Sequence, residues 1–188
     1  VVEIGSNQVG INELEETEFI IYEDSALGHM LEKGSLFLWH IKLEGKVLLG
    51  EDYFSSKICM LKEFNNYEGK FEHYYSMYKD LEESIKIIPI ITTFDFSVLF
   101  TIVRNLSILV CFKLRRPAFG REDAFIKVKD HYGDIGLNLQ EYQNLLKCKL
   151  SYERGFNLIA HEKLDVLVYL KKVKDYIDFV KEKLHCER

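Results

Sequence analysis

Glu16 and Glu18 flank Thr17 immediately before the apolar run Phe19-Ile20-Ile21-Tyr22. On a β-strand, side chains at i and i+2 point to one face, so this pair suits a divalent metal engaged in phosphoryl chemistry. Upstream, Gly5-Ser6 has the composition of a phosphate-holding turn. The alternative is a solvated acidic strand edge. A second constellation is Arg154-Gly155-Phe156-Asn157-Leu158-Ile159-Ala160-His161. Histidine moves a proton near neutral pH, and arginine stabilises a charged phosphorane. The alternative is an arginine near a helix C-terminus followed by a loop histidine. A third group, Lys113, Arg115, Arg116 and Arg121, surrounds Pro117-Ala118-Phe119-Gly120. Four cations on one exposed turn suit phosphate or RNA; cations after a helix C-terminus also complement its dipole. Arg104, beside Asn105, interrupts an otherwise apolar helix. An unpaired buried charge is too costly, so Arg104 is expected to pair with an acid such as Asp80 or Glu83, or to line a cleft between two domains.

The elements that must position these residues follow from periodicity. Phe19–Tyr22 reads as a strand, and Ser25 as the N-cap of a helix that starts near Ala26 and ends at Gly45. Gly34 predicts a break in its middle. Lys46-Val47-Leu48-Leu49-Gly50 reads as a second, parallel strand, giving a β-α-β unit whose third strand comes from residues 1–15 or from a partner chain. Polar residues 51–66 mark the boundary. Helices are then expected over Tyr67–Ile87, Phe96–Leu114, Arg121–His131, Asn138 to about Glu153, and about Glu162 to Leu184. Pro89 ends the first of them. The second is apolar nearly all round and should be central. Asn138 and Glu141 form a capping box. In the last, Leu164, Leu167, Leu170, Val173, Ile177 and Val180 are expected to face inward. The fold class is therefore α+β: a partial α/β domain over residues 1–60 and an all-α four- or five-helix bundle over residues 65–188.

The totals agree with a globular protein. The 188 residues are 47% hydrophobic and 29% charged, enough for one ample core or two small ones. A net charge of −5 argues against a general nucleic-acid binder and leaves room for a local basic patch. Cys59, Cys111, Cys148 and Cys186 are too scattered for a zinc knuckle or redox motif, which points to reduced thiols in the cytoplasm. Val98–Val103 and Ser107–Phe112, divided by Arg104 and Asn105, fall short of a membrane span. The start, Val1-Val2-Glu3-Ile4, has no methionine and no signal-peptide pattern, so a trimmed terminus is expected.

Two families are resembled. Gly5-Ser6, nine residues, then Glu16-Thr17-Glu18 is similar to the Gly-Ser turn and acidic pair of polymerase-beta-type nucleotidyltransferases, with Glu for Asp and Thr at the apolar position. In a second, preferred registration, Glu18 to Ser25, Lys33 to Ile41 and Glu44-Gly45-Lys46-Val47-Leu48-Leu49-Gly50 resemble the tail of such domains, with Glu18 in the place of the third carboxylate. This resemblance implies nucleotidyl transfer from a nucleoside triphosphate to an acceptor, with Mg²⁺ on Glu16 and Glu18 and the nucleotide phosphates near Arg104, Arg115, Arg116 and Arg121. It also implies a degenerate or truncated catalytic half. Arg154 and His161, ahead of a final helix, resemble the R-x(4–6)-H motif of HEPN domains, although Gly155 stands where HEPN nucleases usually carry a polar residue. That resemblance implies a toxin-like ribonuclease acting as a homodimer. A third expectation is a partner-binding subunit of a nucleotidyltransferase system, without catalysis of its own. The implied partners are a nucleotide, RNA or another protein, and no membrane.

Overall fold

The computed structural model describes residues 2–4, 20–48, 50–88, 90–155 and 164–185. Among the described residues two short strands and eight helices follow one another in the order β1 (Val2–Ile4), β2 (Ile20–Tyr22), α1 (Asp24–Glu32), α2 (Leu36–Glu44), α3 (Glu51–Ile58), α4 (Tyr67–Ile87), α5 (Thr93–Lys113), α6 (Asp123–Tyr132), α7 (Leu139–Arg154) and α8 (Val166–His185). They divide into two compact units, residues 1–65 and 66–188.

In the first unit, Gly34 decides the course of the chain. It sits at φ +62°, and a Cβ there would lie 2.4 Å from the Glu63 carbonyl oxygen. Glycine alone fits both the left-handed turn and that close backbone approach. The turn closes α1 through Ser35 N–H donating to the Met30 carbonyl at 2.9 Å, and α2 then leaves in a new direction. Leu27, Leu31, Leu38 and Leu61 bury one another, with Met30, Phe37, Trp39, Ile41 and Ile58 packed around them. Trp39 Nε1 donates to the Lys62 carbonyl at 3.2 Å, and Tyr53 of α3 donates to Asp24 of α1 at 2.6 Å.

The expected α+β class with its β-α-β unit is corrected here. Residues 45–48 have no regular structure, and Gly50, at φ +74°, begins α3 instead of ending a strand. Val47 and Leu48 are exposed. Gly34 turns the chain between α1 and α2, and no strand forms at residues 45–48 to lie alongside β2; a strand with no neighbour leaves its backbone groups unpaired. The parallel partner of β2 is β1, with Val2 opposite Ile20 and Ile4 opposite Tyr22. Apart from this three-residue pair, the regular structure of the described residues is helical. Ser25 lies inside α1; Glu23 holds the N-cap position. Residues 51–58, read as a polar boundary, form α3.

The second unit is a helical bundle built around α5. Phe96, Leu99, Ile102, Val103, Leu106 and Leu109 are almost completely buried along it. Burying each such side chain is worth about 1.5–3 kcal/mol. Among the described residues α5 is the helix long and apolar enough to cross a membrane, yet most of it is enclosed by α4, α6, α7 and α8. Its start is fixed by Thr92, whose N–H donates to Asp95 at 2.6 Å, just ahead of the first buried phenylalanine. Asn138 and Glu141 cap α7 reciprocally, each bond 2.9 Å. Side-chain contacts set the directions. Phe94 at the start of α5 meets Tyr152 at the end of α7, and Lys113 at the end of α5 donates to the Leu184 carbonyl at the end of α8. Thus α7 runs antiparallel to α5, and α8 parallel to it.

An aromatic slab fills the bundle beside α5. Phe125 and Tyr142 stack with ring centroids 4.1 Å apart, and Tyr176 hydrogen-bonds the buried Ser107 hydroxyl at 2.7 Å. Burial pushes the phenols of Tyr78, Tyr142 and Tyr176 well above their ordinary value of 10. It also raises the Cys111 and Cys148 thiols from 9.0 to about 11. In the alkaline range the unfolded chain binds fewer protons than the folded one, so the stability these groups contribute is complete below pH 9 and falls as pH rises beyond it. Tyrosinate absorbance of these residues should therefore rise in step with loss of helical circular dichroism in an alkaline titration. Ionisation of all the tyrosines while the helices persist would contradict this packing.

Candidate functional site

The connection from α5 to α6, residues 114–122, gathers three of the residues singled out as phosphate ligands. Helix α5 ends in a Schellman-type turn, with Arg115 N–H donating to the Phe112 carbonyl at 3.0 Å and Arg116 N–H to the Cys111 carbonyl at 2.9 Å. Arg115 occupies the left-handed position of that motif at φ 55°, the one non-glycine residue with positive φ among the described residues. Glycine is usual there, and an L side chain in the left-handed conformation costs about 1–2 kcal/mol. Arg115 and Arg116 are exposed on this turn, and Arg121 is exposed six residues after Arg115.

Beneath them the backbone is held from within. Ala118 and Phe119 are buried, and the Phe119 ring packs edge-on against Phe112 at 5.4 Å. Three alternate carbonyls accept side-chain donors from three helices. Lys127 of α6 donates to the Pro117 carbonyl at 3.3 Å, Arg104 of α5 to that of Phe119 at 2.5 Å, and Tyr142 of α7 to that of Arg121.

Arg104 therefore has a role other than the one expected. Its guanidinium bonds the Phe119 carbonyl and, at 3.3 Å, Asn105 Oδ1, while its Nε is buried without a hydrogen-bond partner. Asp80 and Glu83 are exposed on α4, away from the buried Phe71, Tyr78, Leu81 and Ile85, so neither supplies the expected ion pair. The charge instead lies near two phenols: burial raises Tyr74 and Tyr142, and the Arg104 guanidinium opposes the rise in both. Lys113 is likewise turned to structure, bonded to the Leu184 carbonyl and set over the Tyr67 ring. Arg121 reaches Glu153 only at 4.0 Å, with half its side chain exposed.

The other expected residues are not brought into this site. Arg154 is exposed as the last residue of α7, ahead of Gly155 in the left-handed conformation. His161, Glu16 and Glu18 lie outside the described residues, and with them the expected Mg²⁺ ligands. Among the described residues no three His, Cys, Asp or Glu side chains gather as a metal group would. Phe119 and Tyr142 are the site residues that the sequence reading missed. The signal for Phe119 was a lone large apolar residue between Ala118 and Gly120 in a basic run.

Charge separates the two units. Residues 66–188 carry twenty Lys and Arg against eighteen acids, whereas residues 1–65 carry five against twelve. The net −5 of the chain thus belongs to the first unit, and the bundle that carries the arginine turn is slightly basic.

Replacing Arg104 with alanine leaves the buried Phe119 carbonyl without its donor, a loss worth about 1–3 kcal/mol of unfolding free energy. Hydrogen exchange should quicken at residues 116–122 ahead of the rest of the bundle. Unchanged exchange in that segment would show that Arg104 does not hold it.

No protein-family model, curated protein or solved structure matches this chain, so geometry and charge alone bear on what the site does.

Proposed function

We propose that the bundle binds the phosphate backbone of RNA through Arg115, Arg116 and Arg121. The observation that carries this reading is Arg115 in a position that favours glycine. A conformational cost at an exposed arginine is explained if the guanidinium is needed there, since such strain concentrates at functional positions. Two further features support it. The turn is fixed from below by Lys127, Arg104 and Tyr142, so little ordering remains to be done when a ligand arrives. The three arginines also fall on one short connection, at most about 20 Å of chain. Arginine matches phosphate oxygens in bidentate fashion, and such contacts fix register without reading sequence.

Nucleotidyl transfer has less support, because residues 46–48 of its preferred registration do not form a strand. The nuclease expectation is compatible with RNA binding. Cleavage of bound RNA that disappears in both Arg154→Ala and His161→Ala would join the two readings.

The test separates function from stability. Arg115→Gly relieves the left-handed strain, so the variant should unfold at the same or a higher denaturant concentration. Fluorescence anisotropy with a labelled single-stranded RNA should nevertheless show weaker binding. In Arg115→Gly/Arg116→Ser, the slope of log affinity against log salt should become shallower by about 1.4, since each phosphate contact contributes about 0.7 for a single strand. Equal affinity and an equal slope in wild type and double variant would remove the turn from RNA binding.

A further inference from the structure

A second surface lies on the bundle between the C-terminal half of α4 and the N-terminal half of α8. The two helices touch at Tyr78, whose hydroxyl donates to the Leu170 carbonyl at 3.2 Å. Beyond that point an open groove of about 320 Å³ runs between them, floored by Tyr78, Ile85 and Leu170 and flanked by Leu167. Leu167 was expected to face the core, yet 68% of it is exposed, while Val166, Tyr169, Leu170 and Val173 on the same helix are buried. The apolar surface of α8 therefore extends past the part that α4 and α5 cover.

The rim of this groove is basic. Lys86, Lys171 and Lys174 line it, and its acid is Glu82. Glu82 already faces two lysines, Lys79 at 3.1 Å and Lys86 at 3.4 Å, which hold its carboxyl below the usual range. Lys174 has one acid, Asp178, at 2.5 Å. Among the lining residues three lysines stand against one glutamate; at its edges Asp178 faces Lys174, and Glu83 acts on Lys79 outside the groove.

We propose that this groove receives an amphipathic helix of a partner protein, with apolar residues on the groove side and an acidic polar face. Its shape directs the choice of a helix. The lining residues recur at 78, 82 and 85 on α4 and at 167, 170 and 174 on α8, the ridges against which a third helix packs. The lysines direct the choice of charge. Opposed charges at the rim raise the association rate and fix orientation, and the apolar contact at Leu167 holds the complex.

The test uses the full chain and a displayed library of amphipathic helical peptides whose polar faces are randomised. Selection on wild type, with Leu167→Asp as the counter-selected variant, should enrich peptides with an excess of Asp and Glu. A selected peptide made synthetically should bind Lys171→Glu about tenfold more weakly, and the loss should shrink in high salt. Both substitutions fall on exposed positions, so unchanged circular dichroism and melting are expected. The proposal is overturned if selected peptides are neutral or basic, or if wild type and Leu167→Asp enrich the same sequences. It is overturned equally if sedimentation shows a wild-type dimer that Leu167→Asp dissolves, since a second copy would then be the occupant.

Discussion

A helix enclosed along most of its length must satisfy most of the polar groups it carries without water, and α5 places the rest of the bundle under that constraint. Two of its hydroxyls turn back on their own helix: Thr101 donates to the Ser97 carbonyl at 2.9 Å and Ser107 to that of Val103 at 2.7 Å. The Ser107 hydroxyl then fixes Tyr176, which brings α8 to a single depth against α5. Arg104 poses the harder case. A half-buried guanidinium met by carbonyl dipoles, with no carboxylate, keeps its net positive charge, and the carbonyl within reach belongs to a loop. The arginine thus fastens the α5–α6 connection to the helix that precedes it. A carboxylate from Asp80 or Glu83 would have neutralised the charge and left the loop unheld.

That arrangement explains how one connection is both rigid and basic. The inward side of residues 117–121 is occupied by donors from three helices, and Phe119 fills the space between them against Phe112. Arg115, Arg116 and Arg121 then have no inward partner of comparable strength and are left to solvent. Arg104, below them, adds positive potential of its own, since its charge is solvated by dipoles and not cancelled. Lys113, the fourth cation of the run, lies at the edge of this arrangement and serves the last carbonyls of α8 instead.

How much of this was legible in the sequence depended on the length of the pattern. Helix α4 has the predicted limits Tyr67–Ile87, because a six-residue apolar stripe and Pro89 define both its face and its end. The Asn138–Glu141 box was readable because both capping bonds are local. The stretch Lys46–Gly50 was misread because four apolar-rich residues between glycines look the same whether or not a sheet is there to receive them. The break itself was visible in the glycine, but the close approach of the backbone of residues 62 and 63 to it was not. At the site, the arginines were found by type and spacing. The partner of Arg104 was not, since a carbonyl accepts from any residue and leaves no mark in the sequence.

The two proposed surfaces can be occupied independently, and the reason is geometric. Because α8 runs parallel to α5 and its end is bonded to Lys113, the arginine turn stands at the C-terminal end of α8 while the groove occupies its first turns. From Leu170 to Leu184 is fourteen residues, about 21 Å at a rise of about 1.5 Å each. The Debye length at physiological salt is about 8 Å, so the charges of one surface are screened from the other. An acidic helix in the groove would therefore not compete electrostatically with a polyanion at the turn. Any coupling between them would be mechanical, carried along α8 or through α5, where Ser107 bonds Tyr176 of α8 and Arg104 bonds the Phe119 carbonyl.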